Sequence, residues 1–186
     1  MDSIHDVSET AMERLRILKL STDAGIATTA RYFYMNFKFN YAFGYLTIGK
    51  FDLAHQYFTE LPEDMNYFDA SQFPLRYTMD GVNYVINYDN FSQIRGQFYV
   101  AFAESLIVKN QNTAGLEYVR KAMPLLNTNW LKYACYYNAI NAKEKLNQYD
   151  SECIQFCSLH MNAYYNLSKE SIDTILAYNF GTYRLA

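Results

Sequence analysis

Residues 36–61 read NFKFNYAFGYLTIGKFDLAHQYFTEL, and the rest of the chain is read outward from this stretch. Large and small apolar residues recur on both sides of Gly49: Tyr41, Ala42 and Tyr45 before it, Phe51, Ala54 and Phe58 after it. Apolar residues that return every three to four positions form one face of a helix, and that face needs a partner. Gly49 suits the left-handed backbone that ends a helix, because it has no Cβ to clash there. Asp52 places a carboxylate in the first turn of the next helix, where free N–H groups favour negative charge. The stretch predicts two helices joined by a tight turn. Ala42 and Ala54 mark where they approach closely, and the aromatics fill the space beside them.

The order of residue types across Tyr41-Ala42, Tyr45, Gly49, Phe51, Ala54 and Phe58 resembles a tetratricopeptide repeat. The pattern returns from Gln97, with Tyr99, Phe102-Ala103 and Leu106 on a first helix and Gly115, Val119 and Ala122 on a second. It returns again with Tyr137, Ile140, Cys153, Cys157 and His160, although Asn141 stands where a small apolar residue is expected. AFGYLTIGKFDLAHQYFTELPEDM (residues 42–65) and SLIVKNQNTAGLEYVRKAM (105–123) also look similar to the repeat region of Gram-positive peptide-pheromone receptors, the Rap-type and phage arbitrium receptors among them. That resemblance implies stacked helical hairpins, a short peptide bound on the concave face, and dimer or partner contacts that change with it. No DNA-binding helix-turn-helix segment is read at either end, so DNA regulation is not implied. The expected fold class is mainly all-α. It is one domain over 1–186, with repeat-like units at about 34–61, 97–126 and 133–165 and an insertion at 63–90.

Elsewhere the signals are local. Residues 7–20 predict a helix, with Asp6 and Glu9 as a capping box. Residues 21–25, Ser-Thr-Asp-Ala-Gly, break it, and a long helix over about 26–48 follows, aromatic on nearly all sides. Pro62 is expected to close the second helix of the first hairpin. Within the insertion, Asp80-Gly81 lies between Tyr77-Thr78-Met79 and Val82-Asn83-Tyr84, a β-hairpin signal. The competing pattern is a helix started by Pro74, with Leu75, Met79, Val82 and Ile86 on one face; the Tyr, Thr, Val and Ile content favours strands. A last helix at about 169–180 is expected to cap the stack through Ile172, Ile175, Leu176 and Phe180.

Composition bounds the function. The chain has 186 residues, 51% hydrophobic and 18% aromatic, so a packed core is expected rather than disorder. The net charge is −3 with no basic stripe, which disfavours direct nucleic-acid binding. The start, MDSIHDVSET, is polar and acidic and does not read as a signal peptide. No uncharged apolar run reaches about 18 residues, so no membrane span is expected. Three cysteines without framework spacing fit a reducing compartment, and a cytoplasmic location is expected.

Reactive constellations are sparse. Cys153, Cys157 and His160 share a helical face, but zinc needs a fourth ligand, and semi-buried packing is the preferred reading. His5, His55 and His160 have no partner by spacing that would activate a cysteine. Glu63, Asp64 and Asp69 read as solvated charge in a loop. Trp130 opens a helix and is expected in the core. No Gly-rich phosphate loop is present. No cofactor, metal or catalytic activity is therefore expected. In the stacked arrangement Asn36, Phe39, Phe43, Gln97, Val100, Glu104 and Asn138 are expected to line a groove. There the amides would bond to a peptide backbone and the Phe rings would take an apolar side chain. The expected function is non-catalytic recognition of a protein or short peptide in a regulatory or adaptor role. The alternatives are a scaffold that homodimerises or assembles further through the aromatic helix at 31–46, and an enzyme with a site in the 63–90 insertion.

Overall fold

A computed structural model describes residues 2–79 and 81–169 of the chain. The fold is mainly all-α with one short antiparallel β-hairpin. The chain divides into two compact units, 1–91 and 92–186.

The first unit is built on α2 (Ala24–Thr47), which packs against α1 (Asp2–Leu18), α3 (Phe51–Thr59) and α4 (Pro62–Tyr67). Asp23 starts α2: its side chain accepts a hydrogen bond from the Ile26 N–H at 3.0 Å. Gly49 follows the end of α2 with φ +74°, and the Lys50 N–H reaches back to the Tyr45 carbonyl at 2.9 Å. Ala42 and Ala54 are fully buried, as the close approach of the two helices requires. The core continues through Phe58, Leu61, Met65, Phe68 and Phe91; the Phe68 and Phe91 rings lie 5.0 Å apart. Beyond α4 a single 3₁₀ turn, capped by Asp69, leads to β1 (Leu75–Met79) and β2 (Val82–Ile86). Tyr77 pairs with Tyr84 and Met79 with Val82, and Gly81 in the turn between the strands takes φ +77°. The hairpin reading holds over the helical alternative. Tyr77 stacks on Tyr84 at 5.1 Å and meets the edge of Phe33 on α2 at 4.8 Å, which ties the hairpin to the helix.

Helix α5 (Tyr88–Val108) carries the chain into the second unit, with α6 (Asn112–Ala122), α7 (Asn129–Lys145) and α8 (Ser151–Leu167) after it. Both hairpins here end their first helix as α2 does. Asn110 and Asn147 take φ +61° and +54°, and the next N–H bonds five residues back, Gln111 to Leu106 at 2.8 Å and Gln148 to Lys143 at 2.9 Å. The same turn closes all three hairpins, with Gly in one and Asn in two. At the α5–α6 crossing a Cβ on Gly115 would lie 2.6 Å from Ile107 Cγ1, so only glycine permits this approach. Asn138 Nδ2 donates to the Val100 carbonyl at 3.2 Å and Lys145 Nζ to the Ile107 carbonyl at 2.8 Å, joining α7 to α5. Lys143, 3% exposed, donates to Asp150 at 2.8 Å and Glu152 at 2.7 Å, while Arg120 pairs both carboxylate oxygens of Glu152. The two cations hold the Glu152 carboxyl down at about 2.

Several local expectations are corrected. α1 begins at Asp2, so Asp6 lies inside the helix rather than capping it. Pro62 opens α4 instead of closing α3, because a proline at the first helical position loses no hydrogen bond. Asp64, expected in a solvated loop, sits in α4 and is 2% exposed. Trp130 is exposed and lies against Tyr133 rather than in the core. The helix expected at 169–180 falls outside the described residues, apart from Lys169 in the turn after α8.

Candidate binding groove

In the first unit, α1, the start of α2 and β1 leave an open groove of about 760 Å³ between them. Its walls are apolar: Leu15 and Leu18 from α1, Ile26, Ala30 and Phe33 from α2, and Pro74 and Leu75 at the entry to β1. The helix is interrupted at 19–23, between the end of α1 and the start of α2. The Tyr77–Phe33 contact holds the hairpin across the gap. Leu18 and Ile26 are exposed at the rim, and so is Arg76. Asp23 and Arg76 are the charged residues of the lining, and it contains no His or Cys. The Asp23 carboxylate is already committed to capping α2.

The walls are held by a buried ionic cluster. Asp64 accepts from Lys19 Nζ at 3.1 Å and from Arg31 Nη1 at 2.9 Å, which joins the end of α1 to α2 and α4. Aromatic faces complete the two cations: Lys19 lies 4.4 Å from the Tyr34 centroid and Arg31 4.2 Å from that of Tyr67. Further along α2, buried Lys38 donates to the Tyr34 hydroxyl at 2.8 Å and to Glu60. Burial by itself would lower the Lys38 pKa, but the bonds to Glu60 and Tyr34 outweigh it and raise the value. A smaller cavity of about 310 Å³ opens beside it, lined by Met12, Glu13, Arg16, Tyr34, Lys38 and Tyr57.

The residues expected to line a concave groove lie elsewhere. In the first unit, Phe39 is buried against Phe58 and Phe43, and the half-buried Asn36 gives its amide to the Tyr32 carbonyl of its own helix at 2.9 Å. In the second unit, Val100 and Asn138 are buried and come together through the Asn138–Val100 hydrogen bond. Gln97 and Glu104 are half-buried on α5, and burial pushes the Glu104 carboxyl above its ordinary value. Phe39, Val100 and Asn138 thus serve the interiors of their units. The open groove residues Leu15, Leu18, Ile26 and Phe33 were missed. Their signal in the sequence is a pair of apolar helix ends on either side of a break.

Burial pushes Cys135 up to about 12, and burial with the adjacent Cys157 raises Cys153. His160 stacks on Tyr133 at 4.3 Å and its Nδ1 lies 3.2 Å from the Tyr133 carbonyl. Among the described residues no cluster of three or more His, Cys, Asp and Glu side chains could hold a metal, and no helix is long and apolar enough to cross a membrane. Comparison with known proteins finds no matching family model, no matching curated protein and no matching solved structure.

Proposed function

We propose that this protein is a non-catalytic binding module of tetratricopeptide-like construction that takes a short, largely apolar segment of a protein or peptide, in a regulatory or adaptor role. The observation that carries this reading is the open groove of about 760 Å³ in the first unit, apolar along its walls. Peptide and ligand sites are typically clefts of this size with few polar groups to fix orientation. Arg76, Thr29 and Gln72 are the polar residues of the lining suited to that role. The lining offers no His or Cys and its one carboxylate caps a helix, which favours binding over an enzyme in the 63–90 insertion. The aromatic scaffold at 31–46 is the weaker alternative. Most of its rings are buried or half-buried inside the first unit, and Phe37 is the exposed one.

The test begins with peptides selected on wild-type protein from a displayed random library. Their affinity is then measured on Leu18→Asp, Ile26→Asp and Asn36→Ala. The two rim residues are exposed, so the fold tolerates the change. Groove recognition predicts at least about tenfold weaker binding for both rim variants, a loss of roughly 1.4 kcal/mol, and little change for Asn36→Ala. Equal binding by all three proteins refutes it.

A further inference from the structure

The sheet of the first unit has two strands, so β1 is paired along one edge only. In an antiparallel pair every second residue turns its N–H and C=O away from the partner strand. Among the described residues no other main-chain hydrogen bond reaches β1, and its outer row has no strand beside it. The groove of about 760 Å³ runs along this edge. Leu75 and Arg76 are consecutive, and consecutive side chains of a strand point to opposite faces of the sheet. Leu75 is buried and Arg76 exposed, yet both line the groove. Space that reaches both faces of one strand lies along its edge. β2, which occupies the other edge, contributes no residue to the lining.

Resting on the groove as the binding site, we infer that its occupant is an extended segment of another protein, added to the outer edge of β1 as a third strand and carrying a carboxylate for Arg76. Main-chain polar groups need partners once water is excluded. A helix uses its N–H and C=O groups internally and would leave the edge of β1 bare. An extended segment offers both groups at every second residue, and its alternate side chains give specificity. One set of those side chains falls on the Leu75 face, where Tyr77 meets Phe33 of α2. The other set falls on the Arg76 face. Asp23, the other charged residue of the lining, already caps α2, which leaves Arg76 as the charge that meets a ligand. A second copy of β1 fits less well. Two copies paired edge to edge about a two-fold axis would put both Arg76 side chains on one face, where like charges repel.

The experiment uses the peptides selected on wild-type protein by display. Each is synthesised with one backbone N-methyl group at a time, and its affinity for the full chain is read by fluorescence anisotropy. An added strand predicts a period of two. Methylation at alternate positions weakens binding at least about tenfold, the loss of one main-chain hydrogen bond, and methylation between them changes it little. The methyl groups are on the peptide, so the fold of the protein is not at stake. Arg76→Glu, at an exposed site, is expected to bind the same peptides at least about tenfold more weakly. Amide exchange without peptide is expected to find alternate β1 N–H groups unprotected. Protection already present there means that a second copy or the chain's own residues hold the edge, and overturns the inference. Affinities without the two-residue period, or unaffected by Arg76→Glu, overturn it too; the groove reading then still stands if Leu18→Asp and Ile26→Asp weaken binding. Binders indifferent to those two variants, or no binder at all, overturn both.

Discussion

Replacing Gly115 with alanine tests the close approach on which the second unit depends. The new Cβ would meet Ile107 Cγ1 at 2.6 Å, Ile107 Cδ1 at 3.2 Å and the Ala103 carbonyl oxygen at 3.3 Å. Ile107 and Ala103 are both buried, and Cγ1 lies close to the backbone of a branched side chain, so it cannot simply swing aside. Overpacking of this kind costs about 1–3 kcal/mol. Against it stands the helix preference of alanine over glycine, about 1 kcal/mol in favour of the variant. Because the clash falls on Cγ1 and is backed by main chain, the steric cost belongs in the upper half of its range. The net expectation is a loss of about 1–2 kcal/mol, a five- to thirty-fold change in the folded-to-unfolded ratio. Urea unfolding followed by circular dichroism, with the slope checked for constancy, measures it. Ile107→Ala supplies the coupling test: it opens the space that the new methyl needs, so its cost should be smaller by about 1–2 kcal/mol in the Gly115→Ala background. If Gly115→Ala is as stable as wild type, or the two substitutions simply add, the tight α5–α6 crossing is refuted.

Asp64→Ala leaves Lys19 and Arg31 facing each other without their carboxylate. Both cations are about one-fifth exposed and can rehydrate, so a loss of about 3 kcal/mol is expected, at the low end for breaking a buried pair, and urea unfolding reads it. The Glu152 carboxyl is depressed in the folded state, so its stabilisation is complete above the unfolded value near 4.5 and disappears as pH falls toward about 2. The stability gap between wild type and Glu152→Gln should therefore close across that window, and a gap unchanged from pH 6 to 2 contradicts the Arg120–Glu152–Lys143 network. Gly44 and Gly49 should respond in opposite directions, although an added Cβ meets nothing within 4 Å at either. Gly44→Ala, within α2, should gain about 0.5–1 kcal/mol, while Gly49→Ala at φ +74° should lose about 1–2 kcal/mol, both read from the midpoint of urea unfolding.

The elements that rest on short-range chemistry were legible in the residues. Gly49, Asp80-Gly81 and the Ala42/Ala54 pair each act within a turn or a single crossing, so their pattern carries the geometry directly. The helical content and the hairpin followed from them. Asp64 was misread because a carboxylate beside Glu63 looks solvated until Lys19 and Arg31, 45 and 33 residues away, are brought onto it. Trp130 was misread for the converse reason: its size favours burial, but its position on α7 faces outward.

Sequence by itself determined where helices start, stop and turn, because left-handed caps, N-caps and apolar spacing are properties of a few neighbouring residues. Only the tertiary structure decided which faces stay open. Phe39, Val100 and Asn138 have the chemistry of a binding surface but are consumed by packing within their units, while Leu18, Ile26 and Phe33 look like ordinary core residues and line a groove. Apolar spacing specifies that a face needs a partner, and the arrangement of all the other elements decides whether the chain itself provides one.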